Sequence, residues 1–315
     1  MKLDVVVPTY NRADLLQKTV SSLLRAPIPA DLDVTIVVVD NNSKDATEKV
    51  VREIQSKAVM PVVYVKEMKQ GCSSARNAGV RSGSGEIIGF IDDDEEIHPD
   101  WFRVVAREFA DPATEFIGGP YLANGDFSFP TWLPAGYHAA IGVLPPKPRS
   151  LFDESFPGIL MGGNVAIRRS VFDCVGLYSE KMGRSGKGLL SSEDEEFYRR
   201  LRKANVRGVY VPDFIIYHYV PASRLTRSYH RRWCFWRGAS QGVMDRDAKK
   251  PVRYLLGIPR FLIGRAVYGL ASIPRHVLFT HEASKVFAAE LALLDLLGFA
   301  YGKFFLRLEK YYGKE

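Results

Sequence analysis

Cysteine is scarce in this chain: Cys72, Cys174 and Cys234 stand far apart in 315 residues, with no CxxC spacing. That pattern excludes a thiolate zinc site and offers no disulfide framework, which points to a reducing compartment. No run of about 18 uncharged apolar residues occurs, so a simple membrane-spanning helix is not expected. The apolar stretch behind Met1 ends at Pro8 and is too short for a signal peptide, so a cytoplasmic location is expected. A phosphate-binding GxxxxGK[ST] loop is missing as well; the glycines of the loop over 183–188 have the wrong spacing. No 20–50-residue repeat is visible. What is present is globular: 46% hydrophobic and 25% charged residues, enough for one large α/β domain, with or without an appendage.

The net charge of +7 is unevenly placed. Residues 219–315 hold 17 Lys and Arg against 7 Asp and Glu, while residues 1–218 hold 26 against 29. A nearly neutral body therefore carries a basic tail.

Periodicity divides the body. β-Branched runs over 3–7, 34–39, 62–65 and 86–91 predict strands, and the segments 12–24, 45–56, 73–81 and 99–109 predict helices, the first capped by Asn11. Such alternation implies βαβ units, a mostly parallel sheet and right-handed crossovers. Residues 120–160 are rich in Pro, Gly and aromatics, including Trp132, and read as an excursion that shapes a pocket. A strand over 162–167, short helices near 169–172 and 193–203, and strands over 206–211 and 214–217 complete the body. From about 223 the chain reads as helical, basic and aromatic.

Three aspartates, Asp92-Asp93-Asp94, follow the apolar run Ile87-Ile88-Gly89-Phe90-Ile91. They stand at the carboxyl tip of a buried strand, where open α/β sheets bind ligands. Adjacent like charges call for a counter-cation, and oxygen-rich clusters suit Mg²⁺ or Mn²⁺, ions that also hold substrate phosphates. The alternative is a solvated acidic turn before the helix opened by Pro99. Pro8-Thr9-Tyr10-Asn11 forms the first strand-to-helix turn, a switch point suited to a nucleotide. Arg76 can reach a diphosphate or make an ordinary ion pair. Ser192-Glu193-Asp194 opens a helix whose dipole favours acids.

These blocks together resemble family 2 glycosyltransferases of the GT-A fold. The matching residues are Val5-Val6-Val7-Pro8-Thr9-Tyr10-Asn11-Arg12, Val39-Asp40-Asn41-Asn42-Ser43, Ala75-Arg76-Asn77-Ala78-Gly79, Asp92-Asp93-Asp94 and Ser192-Glu193-Asp194. The resemblance implies a GT-A domain over 1–220, with a nucleotide-sugar half over 1–110 and an acceptor half over 111–220. A basic amphipathic helical region, 221–315, follows. It further implies transfer of a sugar from a nucleotide donor to an acceptor hydroxyl with inversion.

By this resemblance Pro8, Thr9, Tyr10 and Asn11 line the nucleoside site together with Asp93. Asp40 faces the base, where a carboxylate accepting the uracil ring N–H favours UDP. Asp94 holds the metal, Asp92 sits nearer the ribose and metal-bound water, and His218 completes the coordination. His218 also has a purely structural alternative. Asp194 becomes the general base and Glu193 its helper toward the acceptor. Gly163 and Asn164 lie on the acceptor side, as does Trp132.

Processive synthases of the family carry QxxRW; here Arg232-Trp233 would end it, but Tyr229 replaces the Gln, so single-sugar addition is expected. The expected acceptor is a glycan or a lipid-linked sugar. Arginines punctuating the apolar 251–280 stretch and the last helix, over 283–312, suggest contact with a membrane surface on its inner face. Packing on the body or homodimerisation is the alternative. Nucleic-acid binding is disfavoured, because the basic residues are dispersed and no motif accompanies them. A sugar-phosphate nucleotidylyltransferase would want a Gly-rich basic loop after the first strand, and a silent nucleotide-sugar binder would be expected to lose acids that this chain keeps.

Overall fold

The computed structural model describes residues 1–307 apart from 126, 157, 159, 181–182, 184–189 and 248–251. Of the loop expected over 183–188, all but Gly183 lies outside the described residues, as does the last part of the helix expected to reach 312. The chain divides into two compact units: Met1–Gly125 with Val143–Gly186 and Glu193–Tyr219, and Asp126–Gly142 with Lys187–Ser192 and Val220–Glu315.

The first unit is α/β. Its first half runs β1 (Lys2–Thr9), α1 (Ala13–Arg25), β2 (Asp33–Asp40), α2 (Thr47–Gln55), β3 (Val62–Lys66), α3 (Cys72–Ser82), β4 (Ile87–Ile91), β5 (Glu95–Ile97) and α4 (Trp101–Phe109). Its second half runs β6 (Phe116–Gly118), β7 (Tyr121–Ala123), β8 (Ser150–Leu151), β9 (Asn164–Arg168), α5 (Arg169–Val175), α6 (Glu193–Lys203), β10 (Gly208–Tyr210) and β11 (Ile216–His218). Among the described residues eight strands form one sheet in the order β3-β2-β1-β4-β9-β6-β10-β8. The neighbours β3-β2-β1-β4 are parallel, whereas β9 runs antiparallel between β4 and β6. A smaller sheet, β5-β11-β7, pairs the segment just after the aspartates with the strand ending in His218.

The central strands are mostly apolar because both faces of the sheet are covered there, with Asp4 of β1 buried and paired to Arg169. In β1, Leu3, Val5 and Val7 pack with Leu16, Val20 and Leu23 of α1, while Val6 packs toward Ala75 and Ala78 of α3. Trp101, fully buried, stacks on Phe214 at 4.8 Å beneath the same sheet. One local expectation fails: Asn11 does not cap α1. Its backbone is left-handed (φ 52°) and its Oδ1 accepts the Lys44 N–H at 2.7 Å. The Ala13 N–H instead donates to Asp45 Oδ2 at 3.0 Å, a cap supplied from the loop after β2. Two strand-to-helix loops are thereby bound to each other at one edge of the site.

The second unit is helical: α7 (Arg227–Asp247), a ribbon of β12 (Tyr254–Leu255) and β13 (Ile258–Pro259), α8 (Arg260–Arg275), a π-helical turn (His276–Thr280) and α9 (Ala283–Phe304). The ribbon was not legible in the sequence. Among the described residues no helix is long and apolar enough to cross a membrane.

Helices α7 and α9 approach closely through paired glycines. A Cβ at Gly298 would stand 2.0 Å from the Phe235 carbonyl oxygen, and one at Gly302 would stand 2.0 Å from that of Ala239. Gly238 and Gly242 of α7 meet Asp295 and Phe299 backbone in the same way, at 2.2 Å. Between the helices, Asp295 is buried against Arg237 and Arg265, and Asp245 accepts from Lys303 Nζ and the Tyr254 hydroxyl, each at 2.5 Å. Because the obstacle is backbone, Gly298→Ala should lower the stability of this unit by about 2–3 kcal/mol, the usual cost of overpacking. Gly264→Ala, whose Cβ meets nothing within 4 Å, should be neutral or stabilising by up to about 1 kcal/mol. Urea unfolding followed by tryptophan fluorescence checks both, since Trp132, Trp233 and Trp236 belong to this unit.

Candidate active site

The carboxyl ends of β1, β2 and β4 bring the expected nucleotide residues to one edge of the first unit. Thr9 ends β1 and donates from Oγ1 to Asp93 Oδ2 at 2.8 Å. Asp40 ends β2 and is nearly inaccessible; its Oδ1 accepts the Ser43 N–H and its Oδ2 the Tyr64 hydroxyl, each at 2.7 Å. That hydroxyl, buried beside Asp40, is held in its protonated form. Pro8 is buried in the strand and Tyr10 is exposed.

The three aspartates have different surroundings. Asp93 turns inward: burial first, then the neighbouring Asp94, pushes its carboxyl up to about 6. Arg12 opposes both effects, since its Nη1 sits 2.9 Å from Asp93 Oδ1 and 3.0 Å from Asp94 Oδ2. Asp94 Oδ1 lies 3.7 Å from His218 Nε2, with both residues buried. Asp92, the most open of the three, pairs through Oδ1 with Arg76 Nη2 at 3.1 Å. Its N–H donates to Glu95 Oε2 at 2.9 Å, and burial followed by repulsion from Asp92 and Asp94 raises the Glu95 carboxyl well above its ordinary value.

Arg76 is the pivot. Its side chain is 2% exposed, and Nη1 donates to Asp194 Oδ1 at 2.8 Å while Nη2 holds Asp92. The guanidinium lies 5.4 Å from the Tyr178 ring centroid, and Asn77 fixes that tyrosine by exchanging hydrogen bonds with its backbone N–H and carbonyl, each at 2.9 Å. The second oxygen of Asp194 accepts the Gly162 N–H at 3.0 Å. Gly162 and Gly163 are required by this crowding: a Cβ at the first would stand 2.3 Å from Asp194 Oδ1, and at the second 2.5 Å from Glu95 Oε1. Glu193 and Asp194 open α6, whose first turn holds four acids.

Arg76, read as able to reach a diphosphate or to make an ordinary ion pair, makes ion pairs with Asp92 and Asp194. One expectation needs correction. Asn164 was placed on the acceptor side but is fully buried and internally satisfied, with Nδ2 donating to the Pro120 and Phe214 carbonyls and Oδ1 accepting from Trp101 Nε1 at 3.1 Å. Its amide clamps the strand that carries the two glycines. Of the expected metal trio of Asp92, Asp94 and His218, Asp94 and His218 lie 3.7 Å apart and Asp92 pairs with Arg76; among the described residues no three His, Cys, Asp or Glu side chains converge as a metal set. A carboxylate and an imidazole are donor types that fit Mn²⁺, and ions of this class commonly take their remaining ligands from phosphates and water. Trp132 belongs to the helical unit, edge-on to Phe287 and His230 at 5.3 and 5.6 Å. Arg231 pairs with Glu290 at 2.5 Å.

Sequence reasoning assigned no role to Arg12, Glu95 or Tyr178. Arg12 ends the first of the family-like blocks, and Glu95 directly follows the aspartates, so proximity is the available signal. Nothing local marks Tyr178.

The profile described as Glycosyl transferase family 2 matches residues 4–176. The glycosyltransferase AglE of Haloferax volcanii is 27% identical over 128 residues, 41% of this chain and 40% of its own length, so this chain spans less than half of that relative. A glucosyl-dolichyl phosphate glucuronosyltransferase of the same organism is 26% identical over 252 residues, 78% of each chain. The mannosyltransferase PcManGT of Pyrobaculum calidifontis, solved with GDP-Man and Mn²⁺, is similar in fold at a TM-score of 0.60 and 18% identity, covering 93% of this chain and 86% of its own. With a mixed sheet of this order and the profile spanning more than half its length, the chain belongs to glycosyl transferase family 2 and is a glycosyltransferase with a GT-A-like fold.

Proposed function

We propose that the protein moves a single sugar from a UDP-sugar to a hydroxyl of a glycan or lipid-linked acceptor, with inversion at the anomeric carbon. The observation that carries this reading is the Asp92–Arg76–Asp194 bridge, which couples the donor-side strand tip to an acid on a separate helix. In a single displacement the acceptor oxygen bonds to the anomeric carbon as the bond to the diphosphate oxygen breaks. Asp194 takes the acceptor proton, and the nucleoside diphosphate leaves with the bonding pair. Asp194 suits this role because both its oxygens are held, by Arg76 and the Gly162 N–H, while its side chain keeps 19% of its surface open.

By the family resemblance Asp40 would accept the uracil ring N–H, its carboxylate being held in place by Ser43 and Tyr64. The acids of the triplet and Asp194 outnumber the two guanidiniums among them, which favours a divalent cation. Asp94 and His218 would hold it, and bound there it would offset the charge on the departing diphosphate. The relative named for a dolichyl-phosphate-linked substrate supports a lipid-linked acceptor, and so a working place at the inner face of a membrane.

Asp194→Asn should reduce turnover by about 10²–10⁴-fold, the usual contribution of a general base. UDP affinity should stay near that of the wild type. Steady-state UDP release and calorimetric UDP binding test this pair, and unchanged turnover would remove Asp194 from its role. Asp94→Ala should weaken Mn²⁺ binding in the presence of UDP by at least about tenfold, read by the loss of the free Mn²⁺ paramagnetic-resonance signal during titration.

A further inference from the structure

Between Asp247 and Glu282 the sequence holds no acidic residue, against six Lys and Arg and two His. Its described part forms the β12–β13 ribbon, α8 and the π-helical turn. Helix α8 buries Leu262 and Ala266 and leaves Phe261, Val267, Tyr268 and Leu270 in solvent, Tyr268 at 78% exposure. The turn adds Val277, Leu278 and Phe279, the last two 65% and 78% exposed. One exposed leucine is ordinary; seven large apolar side chains within 19 residues of one helix and turn form a contiguous patch of the kind that marks an interaction surface.

The charges decide what covers it. At helical spacing Arg260 and Arg275 fall within the arc of the exposed apolar side chains of α8, and Arg265 borders it. Arg265 is held by Asp295, but Arg260 and Arg275 have no acidic partner among the described residues. A second copy of this chain would bring the same cationic surface against itself. An anionic lipid leaflet matches both features, with headgroups for the arginines and acyl chains for the aromatics.

We infer that α8 and the π-helical turn form an in-plane docking surface for anionic membranes, with Leu278 and Phe279 inserted and Arg260 and Arg275 at headgroup level. This deepens the lipid-linked acceptor reading and rests on it for its purpose, but its test does not need sugar transfer. The full chain is floated with phosphatidylcholine vesicles made with and without phosphatidylglycerol. Wild type should partition onto the anionic vesicles and lose at least about tenfold in partition between low and high salt. L278D/F279D should lose at least about tenfold at any salt. R260E/R275E should lose the preference for phosphatidylglycerol.

All these side chains are exposed, so both variants should keep the wild-type unfolding midpoint and UDP affinity. Absent UDP binding in every form, with partition intact, would count against the sugar-transfer reading and leave the surface standing. Failure of the wild type to partition, or wild-type partition by L278D/F279D, would overturn the inference. So would a wild-type dimer that L278D/F279D converts to monomer without vesicle binding.

Discussion

Arg76 occupies a position that few charged side chains can hold: fully enclosed, with one nitrogen on Asp92 and the other on Asp194. A buried guanidinium is costly unless its donors are matched, and removing either acid would leave one terminal nitrogen without its carboxylate. Both terminal nitrogens are matched, while Nε makes no hydrogen bond among the described residues. Gly162 and Gly163 give up side chains so that the carboxylates can close in, the Gly162 N–H holds the far oxygen of Asp194, and the Tyr178 ring covers the guanidinium. Segments separated by more than a hundred residues are thereby fixed to one another by ion pairs and backbone rather than by flexible contacts. For a displacement in which a base and a departing diphosphate stand on opposite sides of a sugar, that rigidity is the useful property.

Much of this was legible before any coordinates. Continuous β-branched runs with helical periods between them specify a doubly covered sheet, and β1 through α4 lie within a few residues of their expected places. Helix α6 was expected over 193–203 and spans Glu193–Lys203. The aspartates stand directly behind β4, as their position after an apolar strand requires. What could not be read was partnership across long sequence distances. Asn11 has the residue type of a cap, yet the cap of α1 comes from Asp45, because Asn11 is drawn into a left-handed turn against the loop after β2. Asn164 sits in a segment expected on the acceptor side, yet its amide closes an internal network that only the folded sheet assembles. Arg76 has the chemistry of a phosphate ligand, and only the fold shows that two acids claim it first.

The helical unit follows a different logic. Paired glycines bring α7 and α9 to backbone contact, and buried acids at Asp245 and Asp295 are each matched by cations and donors from neighbouring elements. Those buried acids are satisfied, whereas the outer face of α8 is apolar, cationic and free of acids. Charge asymmetry along the sequence anticipated such a surface, while its concentration on one helix and one π-helical turn is a property of the fold.

The most direct test of the account is the turnover of UDP-sugars by Arg76→Lys, measured beside wild type with Mn²⁺ present and with UDP affinity as the control. Lysine keeps the charge but lacks the planar fork whose two terminal nitrogens hold the carboxylates at a fixed separation. The account predicts UDP release by the wild type, a fall of about a hundredfold or more in the variant, and UDP binding within a few-fold of wild type. Equal turnover by the two proteins would contradict it.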